Sequence, residues 1–313
     1  MFAYIVRRVL ATIPVMAIVA LFVFSLLYIA PGDPAAVIAG DQATPDDVER
    51  IRASLGLDRP YLVRFGAWVW DIARGDLGVS IFTNLPVSTM IQQRIEPTLS
   101  LMVVTLILAI SIAIPMGVLA AQRQGTWIDR AVMGFAVLGF SVPVFVVGYM
   151  LAYIFALELD WLPVQGYTPF SRGFWPWLEN LILPAVALGS VYIALIARIT
   201  RATMLEVLQQ DYIRTARAKG VNQSGILFLH ALKNAAVPVI TIIGIGLAGL
   251  IGGAVVTESV FAIPGLGRLT VDAILRRDYP VIQGVVLLFS FVYVLVNLAI
   301  DLAYTLFDPR IRY

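Results

Sequence analysis

Asp211–Pro238 reads DYIRTARAKGVNQSGILFLHALKNAAVP, a polar and basic island set between long apolar runs. Its punctuation is that of a short surface helix. Asp211 is placed to N-cap the helix, and Gly220 to end it in the left-handed conformation. Tyr212, Ile213 and Ala216 are expected on one side, with Arg214 and Arg217 at i, i+3 on another. Lys219 falls in the last turn, where a cation suits the helix dipole. A second short helical pattern starts at Ile226 and is expected to stop near Pro238. A short capped helix at a membrane surface is shaped for docking a partner.

The membrane follows from composition. Of 313 residues, 60% are hydrophobic and 13% charged, with a mean hydropathy of +0.88. Soluble domains carry about 25% charged residues. There is no cysteine, which excludes disulfides and thiol chemistry. A single histidine, His230, excludes His-rich metal or acid–base sites, and a net charge of +2 does not point to nucleic acid.

Six uncharged runs suit a bilayer, which needs ~20 apolar residues. They are Val9–Ala30, Pro97–Gln122, Ala131–Leu157, Asn180–Ala197, Asn234–Thr257 and Tyr279–Ile300. The first is too long for a signal-peptide core and is read as a retained span. Twelve basic residues flank one side: Arg7, Arg8, Arg123, Arg130, Arg198, Arg201, Arg214, Arg217, Lys219, Lys233, Arg310 and Arg312. Short loops of the other side hold four, Arg172, Arg268, Arg276 and Arg277. Excess Lys/Arg marks the cytoplasm, so both termini are expected inside and the long segment 31–96 outside.

That outer segment predicts two helices. Thr44 is a cap with Pro45 at the first position, Asp46 and Asp47 in the first turn, and Gly56 beyond the end. Tyr61, Phe65, Trp68 and Ile72 then form a helical stripe that Gly75 and Gly78 interrupt. The segment reads as an ordered cap, compatible with contact to an extracellular solute carrier. With no repeat, low-complexity tract or flexible linker, 1–313 reads as one transmembrane domain.

Catalytic signatures are missing. No GxxxxGK[ST] phosphate loop, HExxH, CxxC or GxSxG pattern occurs, so neither catalytic nor metal-ligating residues are assigned. Glu258, at the outer end of the fifth span, is either a loop anchor or a ligand for a transported solute. Asn297 and Asp301, at i, i+4 near the inner end of the sixth, suit an interhelical hydrogen bond. Gly244, Gly246, Gly249, Gly252 and Gly253 give the fifth span small surfaces, Gly249 and Gly253 as a GxxxG pair suited to close packing or to lining a path.

The island resembles the coupling loop of ABC-transporter permeases, which seats a short helix in a cleft of the ATPase subunit. The general loop pattern is EAA, three residues, Gly, nine residues, then I-x-L-P. With its glycine on Gly220, the EAA positions fall on Arg214, Thr215 and Ala216, and the I-x-L-P positions on His230, Ala231, Leu232 and Lys233. These departures, with YIRTARAKG and HALKNA, are similar to the dipeptide/oligopeptide permease family. Further fragments run end to end in order: APGDPA at Ala30–Ala35, GDLGVS at Gly75–Ser80, FSVPVF at Phe140–Phe145, ESVFAIPGLGRL at Glu258–Leu269, and DPRIRY at Asp308–Tyr313. The long outer segment, the APGDPA opening and the DPRIRY ending resemble the first permease type.

This resemblance implies an all-α type I ABC importer permease with six transmembrane helices in a bacterial cytoplasmic membrane. Residues 201–233 would form the cytoplasmic coupling loop, with Asp211, Tyr212, Arg214, Thr215, Ala216, Arg217, Lys219 and Gly220 its coupling residues. It implies a second homologous permease, two ATPase subunits that carry ATP and magnesium, and a solute-binding protein; this chain itself holds no cofactor. Peptides or a related small solute would pass between the two permeases. The alternatives are an ATP-independent secondary transporter or channel, which needs ionisable groups buried mid-span and no docking helix, and a membrane enzyme, which needs a polar cluster at an interface.

Overall fold

Backbone in a bilayer must satisfy its own hydrogen bonds, which favours helices. The computed structural model describes residues 2–29, 33–40, 43–54 and 56–307. Ala30–Gly32 of the APGDPA fragment, Asp308–Tyr313 with Arg310 and Arg312, and the side chains of Arg7 and Asp301 lie outside the described residues. The described residues are all-helical, with one isolated bridge between Val79 and Pro86. In order the helices are α1 (Phe2–Ile29), α2 (Pro34–Ala39), α3 (Pro45–Ser54), α4 (Tyr61–Ala73), α5 (Val87–Gln122), α6 (Trp127–Ser141), α7 (Val144–Leu151), α8 (Phe174–Leu208), α9 (Asp211–Ala218), α10 (Lys233–Val260), α11 (Leu266–Arg276) and α12 (Tyr279–Phe307). Five helical segments are long and apolar enough to cross a membrane, and the bent pair beginning at Trp127 makes six.

The chain divides into two compact units, Met1–Ile95 with Leu269–Leu295, and Glu96–Arg268 with Val296–Tyr313. In the first, Thr44 caps α3 as expected. Its backbone N–H donates to Asp47 Oδ2 at 3.1 Å, and its hydroxyl accepts from Asp47 N at 3.3 Å. Those hydrogen bonds, with Arg50 alongside, hold the Asp47 carboxyl below its usual range. Gly56 follows at φ +60°, and Leu57 N–H closes the helix end on Arg52 O at 2.9 Å. The Tyr61, Phe65 and Trp68 rings surround buried Phe24 of α1, with centroids 5.3, 5.4 and 5.2 Å away. The predicted stripe therefore has its apolar partner. Ser80, buried, donates to buried Asp278, which also accepts from Ile81 N at 3.3 Å. This pins the turn after α4 to the start of α12.

In the second unit the apolar runs become longer or broken helices. The run Asn180–Ala197 is the middle of the 35-residue α8. At 1.5 Å per residue α8 is about 52 Å long, well beyond the ~30 Å hydrocarbon core. The run Ala131–Leu157 is not one straight helix. α6 and the segment Val144–Glu158 meet at 105°. Pro143 forces Val142 out of the helix, to φ −94° and ψ 122°. Ala152–Glu158 continues α7 in π-helical form. The second island helix does not stop at Pro238. Gly225–Leu232 is π-helical and runs directly into α10, because Ala235 and Val239 on either side of Pro238 are buried and hold the chain in register. Asn297 is half-buried in α12.

Phe24→Ala would remove the ring that three others enclose, at a cost of about 3–5 kcal/mol. Amide exchange across residues 61–73 should accelerate sharply, while α3 keeps its protection.

Candidate functional site

α9 is built by local signals and oriented by its buried face. Gln210, extended at ψ 148°, occupies the N-cap position; Asp211 is instead the first helical residue. Arg214 Nη1 donates to Asp211 Oδ1 at 3.3 Å, and Thr215 Oγ1 to Asp211 O at 3.1 Å. Gly220 ends the helix at φ +81°, as expected, and Val221 N–H returns to Ala216 O at 3.2 Å. A Cβ at Gly220 would meet nothing within 4 Å, so the backbone conformation and not crowding calls for glycine. Asn222 then caps the following helix, its Oδ1 accepting from Gly225 N at 2.7 Å.

Ile213 and Ala216 are buried against their own chain, where α9 packs on the π-helical segment 225–232. Ala216, one of the coupling residues that the resemblance implies, thus faces its own chain. Tyr212 leaves that side and is exposed with Asp211, Arg214, Thr215, Arg217, Lys219 and Gly220. The surface offered outward is polar and basic, with one aromatic ring.

The seat beneath is solid. Met204 of α8, Val118 and Ala121 of α5, Leu227 and Ala231 of the π-helical segment and Ala235 of α10 form one buried cluster. One turn away, Arg201 of α8 grips Asp129 of α6, with Nη2 donating to Oδ2 at 2.8 Å and Nε donating to Oδ1. Asp129 is buried and also accepts from Gly125 N at 2.9 Å. In the sequence Arg201 is one of the twelve basic residues that mark the cytoplasmic side. Its partner lies 72 residues away, and neither residue has a motif that announces the pair.

At the opposite end of α10, Glu258 is fully buried. Its Oε1 accepts from Thr98 Oγ1 at 2.6 Å, and its Oε2 from Arg268 N at 3.0 Å in the first turn of α11. Thr98 Oγ1 in turn accepts from Leu266 N at 2.8 Å. A Cβ at Gly265 would collide with the Glu258 carboxylate, and one at Gly267 would lie 2.5 Å from Val255 Cα. Glu258 anchors loop 261–268, with a helix N-terminus facing its charge. Gly249 and Gly253 face α8, where their Cβ atoms would stand 3.0 Å from Tyr192 Oη and 2.6 Å from Leu188 Cδ1. Among the described residues no group of three His, Cys, Asp or Glu side chains is gathered to hold a metal.

Residues 113–313 match the family described as binding-protein-dependent transport system inner membrane component, and residues 1–102 its N-terminal family. A probable peptide ABC transporter permease of Sinorhizobium fredii is 57% identical over 99% of both chains. The chain belongs to the family of binding-protein-dependent transport permeases. A dipeptide transport permease of Alkalihalophilus pseudofirmus is 42% identical to this permease, and a glutathione transport permease of Escherichia coli 41%, each over the full length of both chains. The inward-facing MetNI methionine ABC transporter has the same fold at 20% identity, with a TM-score of 0.58 over 70% of the permease and 96% of that chain. The permease is thus a multi-pass membrane subunit of an ABC importer.

Two outcomes test this geometry. Glu258→Ala strips the Thr98 hydroxyl and the Arg268 N–H of a buried acceptor, at about 1–3 kcal/mol for each group left unsatisfied. Proteolysis should then appear within residues 259–268. Arg201→Met leaves Asp129 buried without its cation, which costs about 3–5 kcal/mol when a buried pair is broken on one side. Thermal unfolding in detergent should fall accordingly, and by much less in Arg201→Met/Asp129→Leu.

Proposed function

We propose that this permease pairs with a second, homologous permease and imports peptides or a related small solute, driven by two separate ATPase subunits. The observation that carries the proposal is α9, an outward polar surface on a helix whose other face is buried in its own chain. A helix held in that way transmits a push instead of yielding to it. The exposed Tyr212, Arg214, Arg217 and Lys219 would meet the ATPase, which holds the ATP and magnesium. Ile213 and Ala216 pass the motion to the cluster around Met204, and Arg201 passes it to α6.

The peptide class is supported by relatives of 41–57% identity named for peptide, dipeptide and glutathione transport. A solute-binding protein would deliver the solute to the outer face, as the family's description requires of its members. The two compact units would act as one permease domain in the cytoplasmic membrane of a bacterium. The Lys/Arg distribution puts α9 on the cytoplasmic side and α2–α4 outside.

Gly220→Val places a β-branched residue in the left-handed region, at about 1–2 kcal/mol. Arg217→Glu reverses the charge offered to the ATPase, and losing a buried interfacial charge pair costs about 2–5 kcal/mol. Uptake by the reconstituted transporter should fall at least tenfold in Arg217→Glu, with membrane insertion and binding-protein affinity unchanged. Normal uptake and normal ATPase association in both variants would remove α9 from the coupling role. Because the chain is naturally free of cysteine, single cysteines at Asp58 and Ser224 should label from opposite sides of the membrane.

A further inference from the structure

α4 is apolar on more sides than its packing uses. Tyr61, Phe65 and Trp68 face Phe24 of α1. Its two charged residues, Arg64 and Asp71, line a cavity of about 390 Å³ within the same unit. The remaining face carries Leu62, Val69 and Trp70, which are 76%, 39% and 59% exposed. An apolar face of this kind on a helix needs a cover.

We propose that this face of α4 lies in the outer leaflet of the bilayer, making α4 an interfacial helix with Leu62, Val69 and Trp70 against lipid. The inference rests on the membrane orientation given above. Depth supports it. Phe24 lies inside the apolar window Leu10–Leu27 of α1, so α4 is attached at the level where that span meets the interface. The seam is also chemically fit for lipid. Ser25 Oγ donates to Leu21 O at 2.6 Å and shares a 2.7 Å hydrogen bond with Tyr61 Oη, so these hydroxyls are satisfied within the protein. Phe22 and Ile29 are exposed on the side of α1 turned away from Phe24, so α1 carries an exposed apolar surface of its own. At the C-terminal end of α4 the Arg74 guanidinium sits 4.6 Å from the centroid of the Trp70 ring. A tryptophan and an arginine at the end of an apolar face suit the headgroup level, where the ring stays amphipathic and the cation meets phosphate. The two charges that would be costly in lipid are turned toward the cavity.

This geometry gives α4 a second attachment besides the Phe24 contact, and so fixes the outer segment relative to the bilayer plane. The test uses single cysteines at Leu62, Val69, Asp71 and Ile18, each spin-labelled in the assembled transporter in phosphatidylethanolamine/phosphatidylglycerol vesicles, with reactive cysteines of the other subunits replaced. Accessibility to oxygen, which partitions into lipid, is compared with accessibility to a water-soluble nickel chelate. Labels at 62 and 69 should favour oxygen over nickel by roughly threefold or more relative to the label at 71, as for an interfacial helix. Nickel access at 62 and 69 equal to that at 71 would overturn the proposal. So would labels at 62 and 69 that are immobilised and shielded from both reagents, the result if the second permease covers this face. Ile18, exposed on α1, is the control for the membrane reading itself, because nickel access there would defeat that reading and not only the placement of α4.

Discussion

Close contact between α8 and α10 is the constraint on which the second unit depends. In lipid, apolar surface alone does not draw helices together, so association rests on van der Waals fit and a few hydrogen bonds. The fit here is made by removing side chains. Gly246 and Gly249 accept the Tyr192 ring, Gly253 accepts Leu188, and Gly117 lets α5 approach Thr200 of α8. A methyl group at Gly253 or Gly117 would stand 2.6 Å from its neighbour, which separates the helices or displaces the side chain. Around this contact the buried alanines of α5 and α8, Ala109, Ala113, Ala120 and Ala197, continue the same small-residue packing.

Tight packing of this kind lies along α8, a continuous helix of 35 residues. One end holds Leu181, Leu183 and Leu188 in the core, and the other extends through Arg201 and Met204 to the turn that starts α9. α9 is separated from α8 by only Gln209 and Gln210. Its remaining freedom is removed by Ile213 and Ala216, and the π-helical segment beneath is continuous with α10. α9 is thus tied to two spans, to α8 along the chain and to α10 through the π-helical segment, and the Arg201–Asp129 pair ties α8 to α6. The bend at Pro143 then divides the third span into segments that need not move as one, since a sharp proline break removes the continuous hydrogen-bond ladder.

Two buried carboxylates stand at the ends of spans and are satisfied there. Glu258 and Asp278 are both buried carboxylates that receive hydroxyl and backbone donors, Thr98 and Arg268 N for one, Ser80 and Ile81 N for the other. Each joins a loop to a helix within its own unit. Carboxylates committed in this way act as fasteners, and they hold the loops that follow α10 and α4.

The sequence by itself determined the class, the spans and the local punctuation, because these depend on neighbours along the chain. Hydropathy exposed the spanning runs, Thr44 and Gly56 bounded α3, Gly220 ended α9, and the Tyr61–Phe65–Trp68 stripe marked the half-buried face of α4. What the tertiary structure decided were matters of partnership. Ala216 and Tyr212 are four residues apart on an eight-residue helix, and only packing on 225–232 tells which turns inward. Pro238 carries the chemistry of a stop, yet buried Ala235 and Val239 carry the helix through it; Pro143 carries the same chemistry and does break the chain. Glu258 shows no sign in the sequence of the Thr98 hydroxyl that meets it, because Thr98 lies 160 residues away. Arg201 had no visible mate, because an ion pair across 72 residues leaves no period and no spacing to read. Local rules act through covalent connection and reach a few residues; these choices act through contact in space, which the fold alone creates.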